Sequence, residues 1–380
     1  MMKIGTLTFH ITSNYGALLQ AYALQRVLNR MGHSSEVINY QFPGSENLLC
    51  RKLSDCKTLR RKISFIRELA WCVAGPVGYG RRLRISRSID FIKTYIPVSK
   101  KVYNHCQDLA EDTTGYDAYI TGSDQVWNPN LKETLGDAYL LGFVPEKRIK
   151  ISYAASFGVS ELPLEKLEVY GRALRKFNHI SVREQEGVGI VRKATDGKKA
   201  QLVLDPTLLL TREQWLELAV YKPKYKEYIL CYFLDDFEQS WQFVYDLQQH
   251  YRLPVLYIGF NKKYLFDSKM ELISGAGPRE FLGLFANASI VVTNSFHGTV
   301  FSILFRKSFY SMLGSNPHRK SMNGRLSNLA DMLDLKNRIC EVRAMQRSDQ
   351  AIDYDKIELL VDNERENSLK FIEKSLNKGE

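Results

Sequence analysis

Between Ile290 and Phe305 the chain runs Ile-Val-Val-Thr-Asn-Ser-Phe-His-Gly-Thr-Val-Phe-Ser-Ile-Leu-Phe. A short β-branched apolar run reads as a strand buried on both faces, which is the mark of a parallel sheet. It stops at Thr293-Asn294-Ser295, residues with N-cap chemistry. After Gly298 the apolar residues resume at helical spacing with Val300, Phe301, Leu304 and Phe305. Such a corner places its turn at the carboxyl edge of the sheet, where α/β folds bind ligands. His297 lies in that turn, and the following helix offers free N–H groups and a partial positive charge suited to an anion. The histidine either serves such a ligand or merely caps a helix and fills a polar gap. Its neighbours decide between the two.

The same alternation recurs along the chain. Residues 3–9 read as a strand, His10 to Gly16 as a polar loop, Ala17 to Met31 as an amphipathic helix closed by Gly32, and 36–40 as a second strand. This opening is Rossmann-like, although the G-x-G-x-x-G fingerprint is absent. Residues 50–112 are basic, helical and the least regular portion. The sheet resumes at Ala118–Thr121 and runs into Gly122-Ser123-Asp124-Gln125, where Asp124 and Gln125 either hold sugar hydroxyls or form an Asx-turn with Trp127 in the core. Strands follow at 150–153, 179–184 and 201–207, with a helix from about Leu164 to Phe177. Arg183, beside Glu184, is either an anion clamp or half of a local ion pair.

The second half alternates strands at 228–233, 255–259 and from Ile290 with helices near 239–251 and 278–287, the spacing of a parallel sheet covered by helices. Residues 308–326 read as loop and contain His318, Arg319, Lys320 and Arg325. Residues 352–376 read as one or two polar helices. A chain of 380 residues exceeds what one core usually spans. The expected division is 1–205, carrying the basic insertion, then 206–345, then a helical tail at 346–380 packing back on the first domain.

Charge adds a second constraint. Residues 51–100 hold thirteen Lys and Arg against three acids, so this block carries almost all of the net charge of +11. It reads either as a solvated helical face or as a surface for an anionic membrane, with Trp71, Val73, Pro76, Val77 and Tyr79 in its middle. No helix-turn-helix, zinc-finger or RNP pattern accompanies it, which argues against nucleic acid. No apolar run approaches a membrane span, no secretion signal leads the chain, and the six cysteines form no C-x-x-C pair. No metal-ligand spacing is found. The expected location is the cytoplasm, at the inner face of the membrane.

Six stretches together resemble the polysaccharide pyruvyl transferase family: Asn14-Tyr15-Gly16-Ala17, Ile120 to Trp127, Tyr153 to Gly158, Ile180 to Glu184, Asp205-Pro206-Thr207 and Thr293 to Thr299. They occur in the family's order over roughly residues 3–345. The resemblance implies two Rossmann-like domains facing across a cleft, as in GT-B glycosyltransferases. It also implies transfer of a carboxyvinyl unit from phosphoenolpyruvate, as co-substrate and without a further cofactor, onto two hydroxyls of one sugar in a polysaccharide or lipid-linked oligosaccharide. His297 matches the family's active-site histidine and Arg183 its donor-binding arginine. Asn294, Ser295 and Thr299 would line the donor pocket, and Asn14, Tyr15, Ser123, Asp124 and Gln125 would face the acceptor. Better-studied members read Arg-Leu-His where this chain has Ser295-Phe296-His297, so a donor-binding arginine is missing. Arg319, Lys320 or Arg325 replaces its charge, or the donor differs. Two other readings stand beside this one: a GT-B glycosyltransferase using a nucleotide sugar, and a non-catalytic carbohydrate-binding or scaffold protein.

Overall fold

The computed structural model describes residues 1–41, 58–59, 62–63, 66, 75–112, 115–131, 137–221, 224–235, 238–264, 267–314 and 323–377. The strands are β1 (Lys3–Leu7), β2 (Ser34–Tyr40), β3 (Val98–Tyr103), β4 (Ala118–Thr121), β5 (Ile149–Ala155), β6 (His179–Val182), β7 (Gln201–Leu202), β8 (Ile229–Tyr232), β9 (Val255–Ile258), β10 (Met270–Ile273), β11 (Ile290–Thr293), β12 (Ser308–Leu313) and β13 (Ile339–Glu341). The helices are α1 (Tyr15–Arg30), α2 (Gly75–Tyr95), α3 (Cys106–Glu111), α4 (Leu164–Arg175), α5 (Gln185–Ala194), α6 (Arg212–Leu216), α7 (Glu238–Tyr251), α8 (Pro278–Asn287), α9 (Phe296–Leu304), α10 (Gly324–Leu333) and α11 (Tyr354–Leu376).

Two parallel sheets result. The first has the order β3-β2-β1-β4-β5-β6-β7 and the second β10-β9-β8-β11-β12-β13. Both are the doubly wound arrangement, in which the strand order reverses beside the first strand of the sheet. In the first sheet the reversal falls between β1 and β4, with Ile4 beside Ala118. In the second it falls between β8 and β11, with Ile290 beside Ile229. Central strands such as β4, β8, β9 and β11 are buried at every position, as two-sided apolar runs require.

The two sheets share one hydrophobic cluster, which runs from Ile4, Leu18 and Ile120 through Trp215 to Tyr228, Phe281, Phe301 and Phe371. Tyr15 ties the halves together at the cleft, stacking on Phe281 with ring centroids 4.4 Å apart and donating its hydroxyl to the Ala276 carbonyl at 2.7 Å. The terminal helix α11 returns from the second domain to the first. There Ser368 Oγ accepts from Leu204 N, Arg365 Nε donates to the Leu208 carbonyl, and Phe371 meets Tyr153.

Several expectations need correction. Residues 98–103, placed in the irregular insertion, form the edge strand β3; three consecutive exposed residues, Lys100 to Val102, hide its periodicity. Residues 308–313, read as loop, are the buried strand β12. The strand expected at 201–207 pairs only over Gln201–Leu202, after which Asp205 caps a short 3-10 turn, Pro206–Leu209. The basic block is only partly open to a surface partner. Much of it, including Trp71 and Val73, lies outside the described residues. Within α2, Arg84 donates to the Ser13 carbonyl and lies over the rings of Tyr15 and Phe260. Arg87 donates to the Gly275 carbonyl and pairs with Glu280, so both arginines brace the two domains. Among the described residues, no helix is long and apolar enough to cross a membrane.

Candidate active site

Each switch point opens a crevice at the carboxyl ends of its strands, and the two crevices face one another. A cavity of about 160 Å³ lies between them. Its lining comes from the loops after β1 (Asn14), β4 (Asp124, Gln125), β8 (Leu234), β11 (Asn294, Ser295) and β12 (Gly314), from the start of α9 (Phe296, His297), and from Asn323, Arg325 and Leu326 at the start of α10. Two helix N-termini, of α1 and α9, therefore point at one space, and both carry partial positive charge there.

The corner after β11 is built by its own polar residues. Thr293 Oγ1 donates to the Tyr232 carbonyl and accepts from Ser295 N. Ser295 Oγ accepts from Gly298 N, so the serine is the N-cap and α9 begins at Phe296. His297 thus sits in the first helical turn rather than in the loop before it. Asn294 accepts from Leu234 N and donates to the Asp235 carbonyl, which pins the β8 and β11 loops together. Thr299 is fully buried and bonds Ser295 O and Ser311 Oγ, so it supports the corner without reaching the cavity.

His297 is 8% exposed and crosses the domain junction. A Cβ on Gly16, in the first turn of α1, would lie 2.0 Å from its Nδ1, so only glycine leaves room for the ring. On the other edge, Nε2 faces Asp205 Oδ2 at 3.7 Å, longer than a hydrogen bond. Asp205 is where the chain leaves the first domain. Its Oδ1 accepts from Thr207 N and Oγ1, and its Oδ2 accepts from Ser123 Oγ at 3.0 Å and Arg183 Nη1 at 2.6 Å. Burial pushes this carboxyl upward, but His297, Arg183 and Thr207 outweigh it and hold the group well below the usual carboxylate range.

Arg183 is buried, with Asp124 as a second, looser partner at 3.7 Å. Burial opposes its charge, and Asp205, Asp124 and Glu184 more than restore it. The ion-pair reading of Arg183 thus holds in kind. The principal partner, however, is Asp205, 22 residues along the chain, while Glu184 accepts from Phe157 N. Arg325 approaches from α10. Its guanidinium and that of Arg183 both lie over the Phe296 ring, at 5.8 Å and 4.9 Å. Burial, then the Arg183 charge, lower Arg325 to about 10, which leaves it a cation at neutral pH. Four buried nitrogens here have no hydrogen-bond partner: Arg183 Nε and Nη2, Arg325 Nε and His297 Nε2.

Of the residues expected at the site, His297, Asn294, Ser295, Arg325, Asn14, Asp124 and Gln125 line the cavity. Asn14 is also the N-cap of α1, accepting from Ala17 N. Asp124, held at φ 80°, accepts from the N–H of the next residue, Gln125, and not from the one two residues on, so it is a cavity wall without being the expected Asx-turn, while Trp127 is core as expected. Tyr15 and Ser123 do not reach the cavity; Tyr15 is the wedge between domains and Ser123 holds Asp205. Arg319 lies outside the described residues. Sequence reasoning missed Asp205 as a site residue. The signal was there in Asp-Pro-Thr, a carboxylate at an expected domain boundary.

A sequence-family model described as polysaccharide pyruvyl transferase matches residues 14–316. No curated protein sequence matches significantly. Among solved structures, S. aureus MnaA with UDP superposes with a TM-score of 0.51 at 12% identity, covering 99% of this chain and 98% of that one. A protein described as a UDP-N-acetylglucosamine 2-epimerase from Listeria monocytogenes gives 0.50 at 8% identity, over 100% and 97%. At these identities the likeness concerns the fold alone, the GT-B pair of Rossmann-like domains.

Proposed function

The chain belongs to the polysaccharide pyruvyl transferase family, and from that premise we propose that it transfers the carboxyvinyl unit of phosphoenolpyruvate to two hydroxyls of one sugar. The acceptor is a unit of a cell-surface polysaccharide or its lipid-linked precursor, and the product is a cyclic pyruvate ketal. In this reaction the enol methylene takes a proton and becomes methyl. The neighbouring carbon gains two C–O bonds, and its bond to phosphate oxygen breaks. Of the two hydroxyl protons displaced, one balances the methyl proton and the other leaves with phosphate.

The observation that carries the donor assignment is the pair of guanidinium groups over the Phe296 ring, Arg325 in the cavity wall and Arg183 behind it, each with a buried Nε that has no hydrogen-bond partner. Buried N–H groups are normally satisfied, and two guanidinium groups close enough to repel call for an anion between them. Phosphoenolpyruvate brings a phosphate and a carboxylate, which suits this spread of donors and the two helix N-termini. In this reading Arg183 and Arg325 grip the donor, and Arg325 supplies the charge that Ser295 lacks in the Ser-Phe-His turn. Asn294, Ser295 and the α9 N-terminus complete the donor side. Asn14, Asp124 and Gln125 face the sugar, and His297 exchanges the proton.

The remaining basic side chains of the 51–100 block would hold the protein at the anionic inner face of the membrane, near a lipid-linked acceptor. The test is turnover of phosphoenolpyruvate with a sugar acceptor, read as phosphate release. His297→Ala and Arg325→Ala should each lower it by at least 100-fold, consistent with the ~10²–10⁴-fold contribution of a positioned acid–base group. Near wild-type turnover in either variant would overturn the assignment.

A further inference from the structure

Asp205 meets more of the site than any expected residue, yet it does not line the cavity. Its carboxylate is fully enclosed, with 0% side-chain exposure, and it receives Ser123 and Arg183 from the first domain and Thr207 from the turn that follows it, while His297 faces it from the second domain. Arg183 and His297 have no other common partner among the described hydrogen bonds and ion pairs. A lone carboxylate between a donor-binding arginine and an acid–base histidine fixes both.

The two edges of the imidazole meet opposite surroundings. Nε2 faces an anion, which favours a proton on that nitrogen. Nδ1 lies over Gly16 in the first turn of α1, where helix N–H groups and the positive dipole end favour a lone pair. Both sides select the same neutral tautomer, Nε2–H. At 3.7 Å the contact is longer than a hydrogen bond, as ligand-free catalytic contacts often are, and a small closure of the two domains would complete it.

We propose that Asp205 is a positioning residue which holds the His297 proton on Nε2, leaves Nδ1 as the nitrogen that exchanges a proton with ligand, and ties this histidine to Arg183 across the domain junction. The proposal rests on the pyruvyl transfer reading only for its catalytic consequence; the tautomer it assigns belongs to the free protein. Its tests can therefore fail separately from that reading.

The first test uses the unmodified full-length protein labelled with ¹⁵N-histidine, with the His297 signals identified by their loss in His297→Gln. At a pH where the ring is neutral, the expected spectrum has the pyrrole-type shift on Nε2 and the pyridine-type shift on Nδ1. The reverse pattern, or an even mixture of tautomers, would overturn the proposal whether or not phosphoenolpyruvate is turned over. The second test is Asp205→Asn, which keeps the size of the side chain and an oxygen for Thr207. In a variant that melts cooperatively, the tautomer preference should weaken and kcat for phosphoenolpyruvate turnover should fall at least 30-fold, with a smaller change in the donor KM. An unchanged tautomer, or a loss confined to melting temperature, would mean that Asp205 is only structural. If Asp205→Asn does not fold, the spectrum of the unmodified protein still decides.

Discussion

Replacing Gly16 by alanine separates two accounts of the α1 corner. Taken as a helical residue alone, Gly16 would gain from the change, since alanine is favoured over glycine inside helices by about 1 kcal/mol. In the folded protein, however, the new methyl carbon would lie 2.0 Å from His297 Nδ1 and 2.5 Å from Cγ and Cε1. Such contacts do not occur below 3.0 Å, so the ring or the domain carrying it must give by at least 1.0 Å. The obstacle is a side chain, so folding survives. Proton transfer does not tolerate the shift: a displacement of about 1 Å at a reacting group costs on the order of 10²-fold in rate. That equals about 2.7 kcal/mol of transition-state stabilisation. Phosphate release from phosphoenolpyruvate should therefore fall by about 10²-fold in Gly16→Ala, by the same reasoning. Its stability should fall by no more than the ~1–3 kcal/mol that overpacking usually costs. In a His297→Ala background the same change should cost little further activity. A Gly16→Ala protein of normal turnover would refute the packing argument.

Four further outcomes follow from the same geometry. Arg183→Ala leaves Asp205 buried without its main partner, and thermal or denaturant unfolding should register a loss of about 3–5 kcal/mol, the usual cost of breaking a buried pair. Arg325→Met should weaken the melting response to phosphoenolpyruvate while the protein without ligand melts near the parent temperature; an undiminished response would remove Arg325 from the donor site. The Asp205 carboxyl is held below its ordinary value of 3.8 in the folded state. The stabilisation this brings is present above that value and is lost as pH falls below it, so unfolding between pH 5 and 2 should steepen in the parent relative to Asp205→Asn. Binding to anionic liposomes should weaken with salt and fall on charge reversal at Arg81 and Arg82, while neutral changes at Arg84 and Arg87, which face the domain junction, should leave it unaltered; insensitivity to salt would remove the membrane surface from the account.

Much of this was legible in the sequence, for physical reasons that also explain the omissions. Ile290–Thr293, Tyr228–Phe233 and Ala118–Thr121 announce themselves because both faces of a central parallel strand are buried and the run is apolar throughout. The residues that end those strands (Asp124, Asn294, Ser295, His297) are legible as site candidates because a doubly wound sheet binds at its carboxyl edge. The strand β3 was hidden because Lys100, Lys101 and Val102 are exposed at the sheet edge, and β12 because Ser-Phe-Tyr-Ser-Met-Leu carries no β-branched residue. The places of Tyr15 and Ser123, expected at the acceptor, and the presence of Asp205, not expected at the site, were hidden for a different reason. Their roles depend on which residue of the other domain, or of a distant loop, arrives beside them, and no local spacing encodes that. Arg84 and Arg87 belong to the same class, since a basic helix reads identically whether its arginines face solvent or a neighbouring domain.

The central claim is that the cavity between the switch points receives phosphoenolpyruvate. Thermal melting of the purified protein with phosphoenolpyruvate, run beside a panel of nucleotide sugars, tests it most directly, since a ligand that binds only the folded state raises the melting temperature by mass action. The account predicts stabilisation by phosphoenolpyruvate that is lost in Arg325→Met, and none by the nucleotide sugars. Stabilisation by a nucleotide sugar, with no response to phosphoenolpyruvate, would contradict it.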